Sequence, residues 1–412
     1  MVEQKIEEFT DSTLFPQDWN EKSLDEISII DSENLPSNTP NEYLFNYIAI
    51  DDIQKGLLKK WSLIKFKNAP SRARKKIQFN DILLSTVRPN LQSHFLMDRH
   101  DADFVCSTGF SVIRCHNKID PKFVYYHLFF QVINKQIQTI ISGSNYPAIN
   151  SNYVKKLKIP IPTSKKEQEK ISKSLSDIDN LINSLKSLIQ KKKNIKQGAM
   201  QELLTGKRRL EGFSNEWVER EIRQIAVIEK GKGLSKGKMD PDGQFKCVLY
   251  GELFTKYSEV IKNIVSSTNF KEGILSEYGD ILIPGSTTTV GIDLASSSVI
   301  LEKNVRLGGD INIIRLNSKI LNPIFASYYI TNLLQNEIAR ITKGITIIHL
   351  HGKDLKRLKI KFPKEHNTQL KIIEIIQDMD SEIEQLEKQL EKYTNLKQAM
   401  MQKLLTGEIR LN

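Results

Sequence analysis

The residue groups most suited to chemistry are a glycine-rich loop and a close histidine pair. The loop, Gly231-Lys-Gly-Leu-Ser-Lys-Gly237, looks like a phosphate-binding loop, but it matches neither G-x-G-x-x-G nor G-x-x-x-x-G-K-[ST]. His349 and His351 are separated by one residue and lack a nearby third metal ligand. The sequence also contains no G-x-S-x-G, H-E-x-x-H or N-P-P-aromatic segment. It therefore predicts a chain with no catalytic centre, no metal site and no bound cofactor.

Polar and basic segments between predicted strands recur in both halves of the chain. Arginine and asparagine can make paired hydrogen bonds to guanine and adenine edges, whereas lysine and hydroxyl groups can bind phosphates. A solvated loop is the competing explanation for any one residue, but recurrence at matching positions favours contacts with double-stranded DNA. The predicted DNA-binding residues are Arg72, Arg74, Lys75, Lys76, Ser85, Arg88, Asn90, Ser142, Asn145, Tyr146, Lys236, Lys238, Ser286, Thr287, Thr288, Lys343 and Thr346.

The composition is compatible with a nucleic-acid-binding protein that has ordinary cores. The net charge is +11, the pI is about 9.2 and 39% of the residues are hydrophobic, so polyanionic partners are plausible. The three cysteines form no CxxC pair, which fits a reducing cytoplasm. The charged N-terminus is not a signal peptide, and no 18-residue apolar run predicts a membrane span.

An internal repeat organises the elements that must position these loops. Residues 200–210 reappear as residues 401–411, and the offset of 201 holds without a gap back to Leu157 and Leu358. Of these 54 aligned positions, 23 are identical. Such a period indicates a duplicated protein.

Each copy of the repeat predicts a long helix with a narrow apolar seam. The apolar residues are spaced alternately by three and four, as in a coiled coil. Prolines 160, 162 and 363 are expected to stop the structure before each helix, and Gly206 and Gly407 are placed as C-caps. The predicted interface residues are Ile171, Leu175, Ile178, Ile182, Leu185, Ile189, Ile372, Ile376, Met379, Ile383, Leu386 and Leu390.

Charge favours pairing of the two helices with each other. Residues 165–196 carry nine lysines and four acidic residues, whereas residues 364–397 carry eight acidic residues and five lysines. A basic helix beside an acidic one disfavours like-with-like pairing. An ordinary two-helix domain and a homodimeric zipper are the alternatives.

The globular parts mix strands and helices, and their layout is repeated. The segment Asn80-Asp-Ile-Leu-Leu84 is matched by Gly279-Asp-Ile-Leu-Ile283, and the helix predicted from Pro121 to Phe130 is matched at Pro323. We therefore expect an α+β fold with two mixed α/β domains, each followed by a long helix. The expected boundaries are 1–20 for an N-terminal arm, 21–163 and 213–363 for the globular domains, and 164–212 and 364–412 for the helical repeats.

These features together resemble the specificity subunit of type I restriction-modification systems over essentially the whole chain. The markers are the helix starts at Gln168 and Gln369, Trp19 and Trp217, the Asp-Ile-Leu strands, and the Lys-Gln-x-x-Met-Gln-x-Leu-Leu-Thr-Gly ends at 196–206 and 397–407.

The resemblance implies two target recognition domains, each reading one half of a split DNA sequence. The helices would form an antiparallel coiled coil within the chain, and the halves would be related by a pseudo-twofold axis. Two methyltransferase subunits with S-adenosylmethionine would methylate adenine, and restriction/translocase subunits would use ATP and magnesium. This chain would be catalytically silent and would act in the bacterial cytoplasm at the nucleoid. The alternative function is a non-catalytic coiled-coil scaffold or regulatory DNA-binding protein.

Overall fold

The chain divides into two compact units that are built alike. The computed structural model describes residues 15–100, 102–141, 148–213 and 216–411. The first unit contains residues 1–186 and 388–412, and the second contains residues 187–387. Within the described residues, every helix is too short or too polar to span a bilayer.

The first unit is a mixed α/β domain with two four-stranded sheets and smaller strand pairs. Its strands are Trp19–Ser23, Ser28–Ile30, Leu44–Ile48, Ile53–Gln54, Leu57–Leu58, Ser62–Lys65, Ala73–Ile77, Ile82–Ser85, Phe95–Leu96, Phe104–Ser107, Phe110–Cys115 and Lys158–Pro162. Its shorter helices are Leu24–Ile27, Pro121–His127, Gln131–Ile140 and Ser151–Lys155. The helix at Pro121 is capped by the Asp120 carboxylate and ends three residues before the predicted Phe130.

The second unit repeats this composition around a five-stranded and a four-stranded sheet. Its strands are Trp217–Glu221, Ala226–Lys230, Phe245–Val248, Val260–Ile261, Ser266–Thr268, Ile274–Leu275, Asp280–Pro284, Ser286–Thr287, Ser298–Ile300, Arg306–Leu307, Ile311–Leu316, Ile348–His349 and Lys359–Pro363. Its shorter helices are Ile222–Ile225, Glu252–Thr255, Pro323–Leu333, Gln335–Ile341 and Gly352–Leu355.

A two-stranded antiparallel sheet closes the base of each globular part. Trp19 lies opposite Pro162 in the first unit, and Trp217 lies opposite Pro363 in the second. The expectation that Pro160, Pro162 and Pro363 interrupt the structure is wrong, because all three lie within strands, Lys158–Pro162 and Lys359–Pro363. Proline is tolerated there because a strand in a two-stranded sheet has a free edge that needs no N–H donor.

The aspartate of each Asp-Ile-Leu segment forms a buried ion pair with an arginine. The Asp81 carboxylate is almost fully buried, accepts the backbone N–H of Gln78 at 2.8 Å and binds the Arg114 guanidinium at 2.9 and 2.8 Å. Asp280 and Arg315 repeat the pair in the second unit. Because a buried carboxylate is costly unless paired, the arginine on the neighbouring strand is needed to hold it.

The repeated glutamines fasten each long helix to its globular domain. The buried Gln168 amide donates to the Pro162 carbonyl at 3.0 Å and accepts the Asp120 backbone N–H at 2.9 Å. Gln369 makes the matching bonds to Pro363 and Asn322. The helix starts are therefore fixed to the strand and to the helix cap of their own unit.

The two long helices run from Lys165 to Leu203 and from His366 to Leu404. Each has 39 residues, or about 58 Å at 1.5 Å per residue. Each contributes one part to the first unit and the other part to the second. Of the predicted seam residues, Ile171, Leu175, Ile178, Ile182, Leu185, Ile189, Ile372, Ile376 and Ile383 are buried, while Met379, Leu386 and Leu390 are half-buried.

In the first unit the two helices are joined by a cluster of one tyrosine, one aspartate and one lysine. The Asp179 carboxylate of the first long helix accepts the Tyr126 hydroxyl at 3.0 Å and pairs with Lys397 of the second at 2.6 Å. The lysine ammonium also lies 5.6 Å from the tyrosine ring centroid. Burial and the adjacent carboxylate raise the pKa of Tyr126, so the phenol stays protonated and donates.

The second unit contains the same cluster with the copies exchanged. Asp380 of the second long helix accepts the Tyr328 hydroxyl at 2.6 Å and pairs with Lys196 of the first at 2.5 Å. Within the first unit Asp179 faces Lys397 while Glu167 binds Arg410. Within the second unit Lys196 faces Asp380 while Lys192 faces Glu382. In each unit, residue numbers therefore rise along one helix as they fall along the other. The helices are therefore antiparallel in both units.

Candidate nucleic-acid interface

Two of the predicted loops in the second unit are joined by backbone pairing. The strand Ser286–Thr287 pairs antiparallel with Ile348–His349. The latter belongs to a hairpin in which Lys343 and His349 exchange backbone hydrogen bonds of 3.0 and 2.7 Å. The predicted residues Ser286, Thr287, Thr288, Lys343 and Thr346 therefore belong to one surface region. Ser286 and Thr287 are buried there, whereas the other three side chains are exposed.

The first unit joins the corresponding loops in the same way. Val87, in the loop after the Asp-Ile-Leu strand, forms a backbone bridge with Ala148, and the N–H of Ile149 donates to Thr86 at 2.9 Å. Predicted residues Ser142, Asn145 and Tyr146 lie outside the described residues. The described part of the region thus repeats the backbone connection between the two loops that the second unit shows.

Arg88 and Asn90 lie in a tight turn whose backbone is fixed in an unusual conformation. Both are exposed, and the turn Pro89–Leu91 is bounded by Arg88 at φ 49° and Gln92 at φ 52°. Left-handed backbone is strained for such residues, and strain of this kind concentrates at functional sites. Ser85 is buried and donates to the Val87 carbonyl at 2.8 Å, so it shapes the turn.

The cationic segment from Arg72 to Lys76 is mostly a strand, not the expected loop. The strand Ala73–Ile77 alternates its side chains between two faces. Arg72 precedes it and is exposed, whereas Arg74 and Lys76 are half-buried. Lys75 points inward, pairs with Asp31 at 2.8 Å and donates to the Phe110 carbonyl at 2.5 Å. Its ammonium is thus engaged inside the domain, and Lys75 is the least suited of the four to reach DNA.

The glycine-rich loop of the second unit is held close to the Ser286 strand. Lys236–Lys238 form a single 3-10 turn, and the Lys238 ammonium lies 3.6 Å from the Phe270 ring centroid. Asp310 connects this region to the strand, because it pairs with Lys230 at 3.2 Å and accepts the Ser286 hydroxyl. Sequence reasoning missed Asp310, whose neighbours become visible only in the folded chain.

Sequence reasoning also missed an exposed aromatic pair in the first unit. The Arg99 guanidinium stacks 4.3 Å from the ring centroid of Trp61, which is 40% exposed. Lys59 and Lys60 directly precede the tryptophan. Basic residues next to an exposed aromatic ring are a signal that could have identified this surface as a further candidate contact.

The described residues provide no site for a metal ion. Among them, no group of three or more His, Cys, Asp or Glu side chains is placed to hold one. The rings of His349 and His351 are stacked with centroids 6.2 Å apart. The buried carboxylates of Asp81 and Asp280 are bound by arginines and have a structural role. Burial raises the pKa of Asp280, although Arg315 acts in the opposite direction.

Comparison with known proteins identifies the family. The model of the type I restriction modification DNA specificity domain matches residues 16–197 and again residues 214–393. The chain is 23% identical over 423 residues to the type I restriction enzyme MjaVIII specificity subunit of Methanocaldococcus jannaschii, with 96% of this chain and 94% of that protein covered. It is 27% identical to the putative MjaX specificity subunit of the same organism, with 72% and 69% covered.

Solved structures show the same fold. The type I restriction-modification S subunit from M. genitalium matches with a TM-score of 0.60 and 20% identity, covering 94% of this chain and 96% of that one. The HsdS subunit from Thermoanaerobacter tengcongensis matches with a TM-score of 0.50 and 21% identity, covering 96% and 98%. The chain belongs to the type I restriction-modification DNA specificity family. The resemblance inferred from the repeats is thereby confirmed, together with the duplicated α+β fold and the non-catalytic class of the protein.

Proposed function

We propose that the chain is the DNA-reading subunit of a type I restriction-modification complex and that each globular domain reads one half of a split target. One observation carries this proposal most strongly. In both units the loop after the Asp-Ile-Leu strand is paired with the chain segment that follows the helical region, at Val87 and Ala148 and at Thr287 and Ile348. Two equivalent loop pairs, on two family-matched domains, suit two half-sites.

The exposed residues of these loops have the chemistry for the two kinds of DNA contact. Arg88 and Asn90 carry groups that form paired hydrogen bonds with guanine and adenine in the major groove. Lys343, Thr288 and Thr346 offer a cation and hydroxyls to phosphates. The net charge of +11 supports this assignment because phosphate contacts release counterions. Ser142, Asn145, Tyr146, Lys236 and Lys238 remain predicted contacts in this proposal.

The partners in this proposal are DNA and the other subunits of the system. Two methyltransferase subunits would dock on the chain and supply S-adenosylmethionine, and restriction/translocase subunits would supply ATP and magnesium chemistry. A solved structure of complex assembly in a type I R-M system shares the fold of this chain, with a TM-score of 0.60 and 20% identity. The complex would act in the cytoplasm, at the nucleoid where its DNA lies.

Exchange of one globular domain tests the division of labour. Residues 24–157 lie between the strands Trp19–Ser23 and Lys158–Pro162, so their replacement by the same part of another family member keeps the basal sheet intact. With the methyltransferase partners present, methylated adenines are mapped across a genome. We expect one half-site to change while the other half-site and the spacer length are kept.

The matched control replaces residues 222–358, which lie between Trp217–Glu221 and Lys359–Pro363. This exchange should change the other half-site alone. Simultaneous change of both half-sites by either exchange would contradict the modular reading.

A further inference from the structure

An isoleucine at the tip of a hairpin in the second unit is almost completely exposed. Ile345 is 98% exposed, the largest fraction among the large hydrophobic side chains of the described residues. The apolar side chains of Ile347 and Val290, which are 48% and 56% exposed, belong to the same hairpin and to the loop after Thr289. An isolated exposed isoleucine is ordinary at a protein surface, but the exposure of Ile345 at the tip of a hairpin beside two further exposed apolar residues is not explained by packing.

The hairpin that carries Ile345 is closed by backbone hydrogen bonds and anchored at its root. Lys343 and His349 close it with two backbone hydrogen bonds. Gly344 has φ 125°, and a Cβ there would lie 2.0 Å from the Ile347 carbonyl oxygen, so only glycine fits the turn. The root is buried, because Leu350 is 1% exposed and its N–H donates to Gly285 at 2.8 Å. The tip therefore projects from an anchored base.

The surroundings of the tip suit a polyanion with apolar groups. Lys343, Thr346 and Thr288 are exposed beside it. Two carboxylates of this loop region are engaged by neighbours, since Asp293 accepts the Thr289 hydroxyl and Asp310, at the hairpin root, binds Ser286 and Lys230. The tip thus combines one apolar side chain with a cation and hydroxyls. A partner with an uncharged hydrophobic surface would leave these polar groups unpaired.

We propose that Ile345 is a specificity-determining contact of the second domain and that it packs against the C5-methyl group of a thymine in the major groove. The major groove admits a two-stranded ribbon, and the thymine methyl is the apolar group that base pairs present there. The minor groove offers no such group and distinguishes A·T from T·A poorly. This inference rests on the proposed function and names one element of its base reading.

The test uses the full chain assembled with its methyltransferase partners on its mapped target. Each thymine of the half-site read by the second domain is replaced singly by deoxyuridine, which removes only the methyl group. With the native chain, one replacement should weaken binding roughly fourfold, as expected for one buried methyl group. With Ile345→Ala, binding to unmodified DNA should fall by a similar factor, and the same replacement should have no further effect.

Val265→Ala is the matched control, because Val265 is also an exposed apolar residue of the second unit, at 64%. It should leave binding and the uracil penalty unchanged. The proposal is overturned if no single uracil weakens binding, if Ile345→Ala binds as well as the native chain, or if this variant weakens assembly with the methyltransferase without DNA. A DNA bend lost in the variant, together with indifference to uracil, would indicate a wedge between bases instead.

Failure of this inference is separable from failure of the proposed function. If methylation maps show a bipartite target while Ile345→Ala is silent, only the thymine contact is wrong. If the chain directs no bipartite methylation at all, the proposed function falls, and the contact falls with it.

Discussion

His127 is a buried polar side chain whose effect on the unfolding free energy depends on pH. It is fully buried between aromatic rings, 4.8 Å from Phe123 and 6.2 Å from Phe130, and neither ring nitrogen has a hydrogen-bond partner among the described residues. Burial lowers its pKa to about 3. His94 is also buried, and desolvation lowers its pKa to about 4 although its Nδ1 accepts the Ser85 N–H. Both imidazoles are therefore neutral in the folded first unit.

Acidification should destabilise the first unit before the second. Because the folded pKa values lie below the ordinary 6.5, the unfolded chain binds protons first as the pH falls from about 6.5 towards 4. Each histidine then removes about 1.4 kcal/mol of unfolding free energy per pH unit in that window. His127→Phe should make this slope shallower. Denaturant unfolding at a series of pH values measures it.

The control is His349→Phe, which changes an exposed histidine of the second unit. It should leave the slope unchanged. The comparison uses the slope and not the stability at neutral pH, because the larger phenylalanine ring also strains the core. An unaltered slope in His127→Phe would refute the assignment of the acid sensitivity to this residue.

The sequence shows which residues are charged, but it does not show which way their side chains point in the folded domain. The run Arg72 to Lys76 predicted cations near the surface, but strand alternation sends Lys75 inward to Asp31. The residues from Arg72 to Lys76 carry no strand signal of their own, and Asp31 is distant along the chain. The left-handed backbone conformation of Arg88 could not be predicted either. Its turn depends on hydrogen bonds such as that from the Ser85 hydroxyl to the Val87 carbonyl. The DNA-binding assignments themselves remain predictions.

At the scale of elements, the ends of the long helices depend on two glycines. Gly206 and Gly407 have φ values of 71° and 73°. An added Cβ would lie 2.7 Å from Trp217 in the second unit and 2.6 Å from Pro16 in the first, where Trp19 also lies close. The Leu-Leu-Thr-Gly motif is therefore a helix end that packs on a tryptophan.

Gly206→Ala and Gly407→Ala should each destabilise the unit that contains the glycine. The left-handed backbone and the crowding against tryptophan together should cost about 2–4 kcal/mol. Denaturant unfolding with tryptophan fluorescence is suited to the measurement, because Trp217 and Trp19 are the contacted residues. Loss of less than about 1 kcal/mol would contradict this account of the motif.

The chain supplies a glycine control within the same helix. Gly198 is exposed, and an added Cβ there would meet nothing within 4 Å. Gly198→Ala should stabilise the protein by about 0.5–1 kcal/mol, because alanine is the better helix former. The change in unfolding free energy should have opposite signs at Gly198 and Gly206. This difference separates helix propensity from the contact of Gly206 with Trp217.

The helices were predictable because their heptad signal is strong, but their contacts were less so. The opposite charges of the two helices predicted cross-helix ion pairs. In the second unit such pairs occur at Lys192–Glu382 and Lys193–Glu387, at 2.6 and 2.7 Å. In the first unit the polarity is reversed, since Asp179 of the first helix binds Lys397 of the second. Summed charge predicted that pairs would form, but it could not assign them to a unit.

At the scale of the whole molecule, the long helices should determine the unread spacer of the DNA target. Duplicating one heptad in each helix, residues 179–185 after Leu185 and residues 380–386 after Leu386, keeps the seam in phase. Seven residues add about 10 Å, which corresponds to about three base pairs at 3.4 Å each. Methylation mapping should show a longer spacer between unchanged half-sites.

Duplication in one helix alone is the informative control. It shifts Asp179 relative to Lys397, or Lys196 relative to Asp380, so pairing and activity should be lost. An unaltered spacer after the double insertion would remove the helices from the reading mechanism. The 201-residue period was enough to predict two similar domains and two paired helices. The loops differ between the two halves, so they gave no basis for predicting which bases are read.

The two clusters of tyrosine, aspartate and lysine are each built from both copies of the repeat. Each takes its tyrosine and aspartate from one repeat and its lysine from the other. Two separate molecules of a single ancestral repeat would have made both clusters between them, as in a symmetric homodimer. The duplicated chain thus contains within itself the kind of interface that a symmetric homodimer forms between subunits. The ion pair of Lys192 with Glu382 is possible only because the two copies differ in sequence, since the equivalent residues of the first unit are Tyr393 and Leu181.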